Sequence, residues 1–343
     1  MASLFEDDEQ IDAAIADLER DLPAAAESDG PPPPPLNSDL LGHEAIERAF
    51  LEDIKSNRLP HALVLSGPLG IGKATLAYRL ARYLFSQEGG DSGLFGDDMA
   101  PPENLYVATD HPVFRRVASG GHADLLLIER EYDEKKGRLK NDISVESVRR
   151  IHPFIRKTAA EGGWRVVIVD GAEYLNASGQ NALLKCLEEP PSRTLFVLTT
   201  SLPGALLPTI RSRCRLVRME PLGEDKMARL LLKYAPAATQ DEQSILIRLA
   251  QGSIGKALRY YKDGGAKIYH DFVKLLKTLP NLDIVFLHDL SERVGRNGAE
   301  QSYEVFRDIV STWCEQTVLQ RWRNNMTASE IPDSYTAQHF FRA

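Results

Sequence analysis

From Leu41 to Pro221 short apolar runs alternate with segments of helical periodicity, the pattern of an α/β domain built on a parallel sheet. The runs His61–Ser66, Asp124–Glu129, Arg165–Asp170 and Leu195–Thr200 are apolar on both alternating faces, which predicts strands covered on both sides. Helices are predicted over Glu44–Ser56 ahead of the first strand and Lys73–Phe85 behind it, then over Ser144–Ala160 and Ser178–Glu188. Beyond Pro221 the period stays helical. Glu224–Tyr234, Asp241–Gln251 and Ile254–Asp263 read as a small helical unit, and a further helical stretch runs from about Lys267 to Trp322. The expected division is a tail over residues 1–36, an α/β domain over 37–220, a helical lid over 221–265 and a helical domain over 266–343.

Charge changes this picture at one end. Residues 1–36 hold ten acidic side chains against one basic and close on the run Pro31 to Pro35, a composition that favours an extended, disordered tail. Ile11, Ile15, Leu18 and Leu22 recur there at helical spacing, so a short amphipathic helix could dock on a partner. The whole chain of 343 residues carries a net charge of −8, and the tail accounts for it. A nearly neutral body argues against autonomous DNA binding, which needs a clustered basic footprint. No apolar run approaches the roughly 20 residues of a membrane span, and Met1–Glu9 lacks the basic start and apolar core of a secretory leader. A cytoplasmic location is expected. Cys186, Cys214 and Cys314 lie far apart without zinc-site spacing, so they read as reduced thiols, two or three of them buried.

The chemistry concentrates where the first strand ends. Gly67-Pro-Leu-Gly70-Ile-Gly72-Lys73 runs from that strand into a helix, the context a phosphate-binding loop requires. Such a loop aims backbone N–H groups at phosphate oxygens, with Lys73 as a mobile charge. The hydroxyl that normally follows the lysine and ligates magnesium is replaced by Ala74, and Thr75 comes one residue late, rotated by about 100° on a helix. Asp170 ends an apolar strand where it could hold magnesium through water, but Gly171 occupies the place of a water-activating glutamate. Thr199 or Thr200 closes the last strand; Thr200 joins Gly67, Gly70, Gly72, Lys73, Thr75 and Asp170 in the candidate nucleotide set.

His61-Ala-Leu with Gly67–Thr75, Asp170-Gly-Ala-Glu173, Asn181–Pro191 and Ile210-Arg-Ser212-Arg213-Cys214 resemble successive motifs of the AAA+ clamp-loader subunits. The resemblance covers about residues 40–265. It implies a RecA-like P-loop domain, a three-helix lid and an all-α collar that holds a ring together. It also implies that Arg213 is an arginine finger reaching the nucleotide on a neighbouring subunit, a task suited to a planar, always-charged fork. The residues alone leave open that Arg213 is one of several basic side chains on a solvated strand edge, with Arg211, Arg215 and Arg218. Gly255 stands where active members carry a phosphate-contacting arginine, and Lys256 is one step off. With Ala74, Gly171 and Gly255 together, the pattern resembles the stator type of ring member, which lends its finger and binds ATP weakly. A catalytically active gamma or tau type is the alternative. The implied partners are gamma or tau and delta subunits and, through the complex, a sliding clamp and primed DNA; no membrane partner is implied. Many relatives carry a four-cysteine zinc module after the first helix, whereas Ser86–His111 has no cysteine; no zinc and a flexible loop are expected.

Overall fold

The computed structural model describes residues 30–87, 102–135, 137–160, 163–278, 280–296 and 300–325. The amphipathic pattern Ile11–Leu22 and most of the loop expected within Ser86–His111 lie outside the described residues.

Seven strands and thirteen α-helices follow in chain order among the described residues. They are α1 (Glu44–Lys55), β1 (Ala62–Ser66), α2 (Lys73–Ser86), α3 (Pro112–Ala118), β2 (Leu125–Ile128), β3 (Tyr132–Asp133) and β4 (Arg138–Leu139). Next come α4 (Val145–Arg149), α5 (Ile151–Arg156), β5 (Arg165–Val169), α6 (Ala177–Glu188), β6 (Thr194–Thr200), α7 (Pro208–Arg211) and β7 (Arg215–Arg218). The rest is helical: α8 (Glu224–Tyr234), α9 (Gln240–Ala250), α10 (Ile254–Lys262), α11 (Gly265–Lys277), α12 (Ile284–Gly295) and α13 (Glu300–Asn325). The described residues up to Arg229 with Gly252–Gly255 form one compact unit, and Leu230–Gln251 with the described residues from Lys256 onward form another.

In the first unit β2-β5-β6-β1-β7 make one five-stranded sheet, with every pairing parallel. All residues of β1, β5 and β6 are buried, as the unbroken apolar runs require. Alternation sorts them between two cores. Leu63, Leu65, Val166, Ile168, Leu195 and Val197 face α1, α2 and α3. Ala62, Val64, Val167, Val169, Phe196 and Leu198 face α4 to α7. Because the strands are parallel, Ser66, Val169 and Thr200 all end at one edge of the sheet, with Ser66 level with Thr200.

Some elements differ from expectation. The segment expected as one helix over Ser144–Ala160 is two short ones, since Pro153 is tolerated only in the first turn of a helix and α5 restarts just before it. Strand β7, helix α3 and the hairpin β3–β4 were not legible as elements: each is short, and β7 is held by pairing with β1 rather than by its own apolar content. Only Cys186 is buried; Cys214 is half-buried and Cys314 exposed.

The end of the proline run is also held, although the tail was expected to extend to residue 36. Arg82 on α2 is fully buried and donates to the carbonyls of Pro35 (2.9 Å) and Asn37 (2.7 Å), with its guanidinium 4.6 Å from the centre of the Phe114 ring. One turn earlier Arg79 pairs with buried Glu47 at 2.7 Å and donates to the Ser38 carbonyl. Burial, then the like charge of Arg79, lowers the Arg82 pKa to about 10.

The second unit is helical. Thr239 caps α9 in a reciprocal box with Glu242, and Asp283 caps α12 through the Phe286 amide. Leu275, Leu290 and Val294 pack with Phe286 and Phe306, while Phe272 meets the rings of Phe306 and Trp313 edge-on. Arg293 pairs with Asp271 at 2.8 Å, linking α12 to α11.

Arg82→Leu tests the anchored linker. It leaves the buried Asn37 carbonyl and the half-buried Pro35 carbonyl without their donor, and a buried orphan costs about 1 to 3 kcal/mol. A fall of roughly 2 to 4 kcal/mol in urea-unfolding stability is expected; a change within 0.5 kcal/mol would show the linker to be dispensable.

Candidate nucleotide site

The loop between β1 and α2 is braced by its own chain at five consecutive carbonyls. Lys73 Nζ donates to those of Gly67 (2.8 Å) and Pro68 (2.7 Å). Ser253 Oγ donates to Leu69 (2.6 Å), the Gly255 amide to Gly70 (2.9 Å), and His43 Nε2 bonds Ile71 (2.8 Å). Each of these carbonyls thus has a donor from its own chain, and Gly72 caps α2 in the left-handed region at φ 100°. Lys73 is buried, and burial lowers its pKa against the opposing charges of Glu173 and Asp170.

The order of the sheet assembles the rest. Since β6 lies between β1 and β5, its end sits between Lys73 and Asp170. The hydroxyl beside Asp170 is that of Thr199, which donates to Asp170 Oδ1 at 2.5 Å and accepts from the Gly171 amide at 3.0 Å. Thr200 is fully buried and its Oγ1 accepts from the Leu202 amide, so of the two strand-end threonines Thr199 is the one aimed at the acid. Glu173 accepts from both the amide (3.0 Å) and the hydroxyl (2.6 Å) of Ser201. Burial works to raise its pKa, but the Ser201 donors hold it below the usual carboxylate value. Glu173 is committed to that loop.

Three positions around the loop, 74, 171 and 255, carry no polar side chain. Ala74 offers no oxygen for magnesium. Gly171 adopts φ 74°, and a Cβ there would come 2.8 Å from the Tyr174 ring, so a glutamate at this position would be strained. A Cβ on Gly255 would stand 2.8 Å from Gly70 Cα; α10 begins so close to the loop that only glycine passes. Thr75 is buried in the first turn of α2. Among the described residues no group of three or more His, Cys, Asp or Glu side chains is placed to hold a metal ion, and no helix is long and apolar enough to cross a membrane.

Arg213 lies on the turn between α7 and β7. Its Nη1 donates to the Thr209 carbonyl and its Nη2 to Glu188 Oε1, both at 3.1 Å, and the side chain remains 37% exposed. Arg215 is paired with Asp53 instead. His43, Ser253, Gln180 and Glu188 all act in this region and were not among the candidates; only their place beside recognised motifs could have flagged them.

Residues 42–223 match the model of the family described as DNA polymerase III, delta subunit. The chain belongs to that family. Within it the chain is 34% identical over 221 residues to the DNA polymerase III subunit delta′ of Pseudomonas aeruginosa, covering 63% of this chain and 62% of that protein. It is 34% identical over 208 residues to subunit delta′ of Escherichia coli, covering 61% and 56%. Similarity extends to the tau/gamma subunit of Haemophilus influenzae, 31% identical over 232 residues and covering 66% and 30%. Each match spans less than two thirds of the relative's length.

Two measurements probe the site. Gly255→Arg, which restores the arginine of active clamp-loader subunits, is expected to destabilise the fold by about 1 to 3 kcal/mol through overpacking and to generate no ATP turnover; an active, equally stable variant would show that α10 yields freely. A carboxylate with a lowered folded pKa adds stability above its unfolded value, about 4.3, and loses it as pH falls through the folded value. Glu173→Gln should therefore flatten the acid limb of urea stability against pH; unchanged acid sensitivity would show that Glu173 does not contribute to it.

Proposed function

We propose that this chain serves as the delta-prime member of a DNA polymerase III clamp-loader ring. It lends Arg213 to the ATP site of a neighbouring gamma or tau subunit. Its own phosphate loop acts as a braced structural element that binds ATP weakly and does not hydrolyse it. The helical segments, a lid over 221–265 and a collar over 266–343, join it to the ring, which with a delta subunit loads a sliding clamp onto primed DNA.

The observation that carries this reading is the contact of Gly255 with Gly70. A side chain at that position meets backbone, so the charge clamp of an active subunit has no room. Ala74 and Gly171 remove metal ligation and water activation independently. Arg213, by contrast, keeps an open face on a turn whose base is anchored, which supports a role outside its own site.

The purified chain is expected to turn over ATP far more slowly than the usual enzyme range of about 1 per second and above, with a cooperative thermal transition as proof of folding. In a reconstituted ring, Arg213→Ala should leave assembly intact, as judged by gel filtration. Fingers supplied in trans contribute about 10³ to 10⁵ in rate, so hydrolysis at the one interface should nearly cease, while total turnover falls less because other interfaces retain theirs. Arg213→Lys should fail similarly, since a point charge does not reproduce the fork. Unchanged turnover in an intact Arg213→Ala ring would remove the proposal.

A further inference from the structure

The geometry points to Glu188 as the residue that positions Arg213, an inference that rests on the reading of Arg213 as a finger. Helix α6 holds the arginine turn at two places. Near its start, buried Gln180 donates through Nε2 to the carbonyls of Leu175 (3.1 Å) and Ala205 (3.2 Å), and its Oε1 accepts from the Leu207 amide at 2.7 Å. Leu207 is the residue that opens α7, and fully buried Ile210 fixes α7 in the core. The Arg213 amide then donates to the Ile210 carbonyl at 3.0 Å. Backbone placement is complete at that point.

The last residue of α6 acts on the side chain. Glu188 Oε1 accepts from Nη2 of Arg213, while the Thr209 carbonyl accepts from Nη1. A guanidinium carries five N–H donors in a rigid plane, so one anchor on each η nitrogen fixes that plane and leaves the remaining donors for another acceptor. The pair is open to water, with side chains 37% and 47% exposed, and exposed ion pairs add little to stability. Its consequence is orientation. An arginine held in this way does not have to be ordered from many rotamers when a phosphate on a neighbouring subunit arrives. Glu188 is a positioning residue and touches no phosphate itself.

The test uses rings in which the other ATP sites carry an inactivating change, so turnover reports the interface that Arg213 serves. Glu188→Ala and Glu188→Gln are each built with Arg213 intact and with Arg213→Ala, and kcat and KM are measured with clamp and primed DNA after gel filtration confirms assembly. Loss of a transition-state orienter lowers kcat while leaving KM alone. Glu188→Ala should reduce kcat about 3- to 10-fold, and Glu188→Gln, which keeps an acceptor oxygen without the charge, should fall between. Neither should change anything further in the Arg213→Ala background. An equal loss in that background, an unchanged kcat with Arg213 present, or a rise in kcat on removing Glu188 would overturn the positioning role while the finger reading stands. If Arg213→Ala alone leaves turnover intact, both readings fall, a result that requires no change at Glu188.

Discussion

The insertion of β6 between β1 and β5 is the constraint on which the site depends. Each of these strands is apolar through its middle and buried on both faces, so the sheet takes helices on both sides and its backbone polar groups are satisfied only by parallel neighbours. Parallel pairing brings the strand ends to one edge. There the loop after β1, the threonines ending β6 and the acid after β5 become neighbours, although they are widely separated in sequence.

At that edge the chain has resolved its charges internally. Lys73 donates hydrogen bonds to two loop carbonyls, Asp170 accepts from the Thr199 hydroxyl, and Glu173 accepts two hydrogen bonds from Ser201. The backbone at Gly255 closes on Gly70. The loop therefore has a packing role of its own: its carbonyls connect α1, α2 and the start of α10.

Helix α6 extends the same logic outward. One end is tied through Gln180 to the loop that follows β6, and the other ends in Glu188 beside Arg213. An exposed arginine is thus connected to the buried sheet by a single rigid element. Precision at a surface group comes from elements beneath it whose own positions are fixed by packing.

The sequence by itself determined the class of fold, and it placed four of the five strands of the sheet and six of the α-helices within a residue or two, because apolar runs and helical periods are local signals. It also marked Gly67–Lys73, Asp170 and Arg213, whose motifs are contiguous, and the losses at Ala74, Gly171 and Gly255. Tertiary structure decided what no local signal carries. β7 exists through pairing with β1, and the end of the proline run is ordered because buried Arg82 needs its carbonyls. Adjacent threonines on a strand point to opposite faces, so only the placement of Asp170 just after the neighbouring strand β5 selects Thr199 over Thr200. That only glycine fits at position 255 follows from the approach of another backbone, and the pairing of Glu188 with Arg213 joins residues 25 apart. Such contacts arise from packing between elements, which composition and periodicity do not encode.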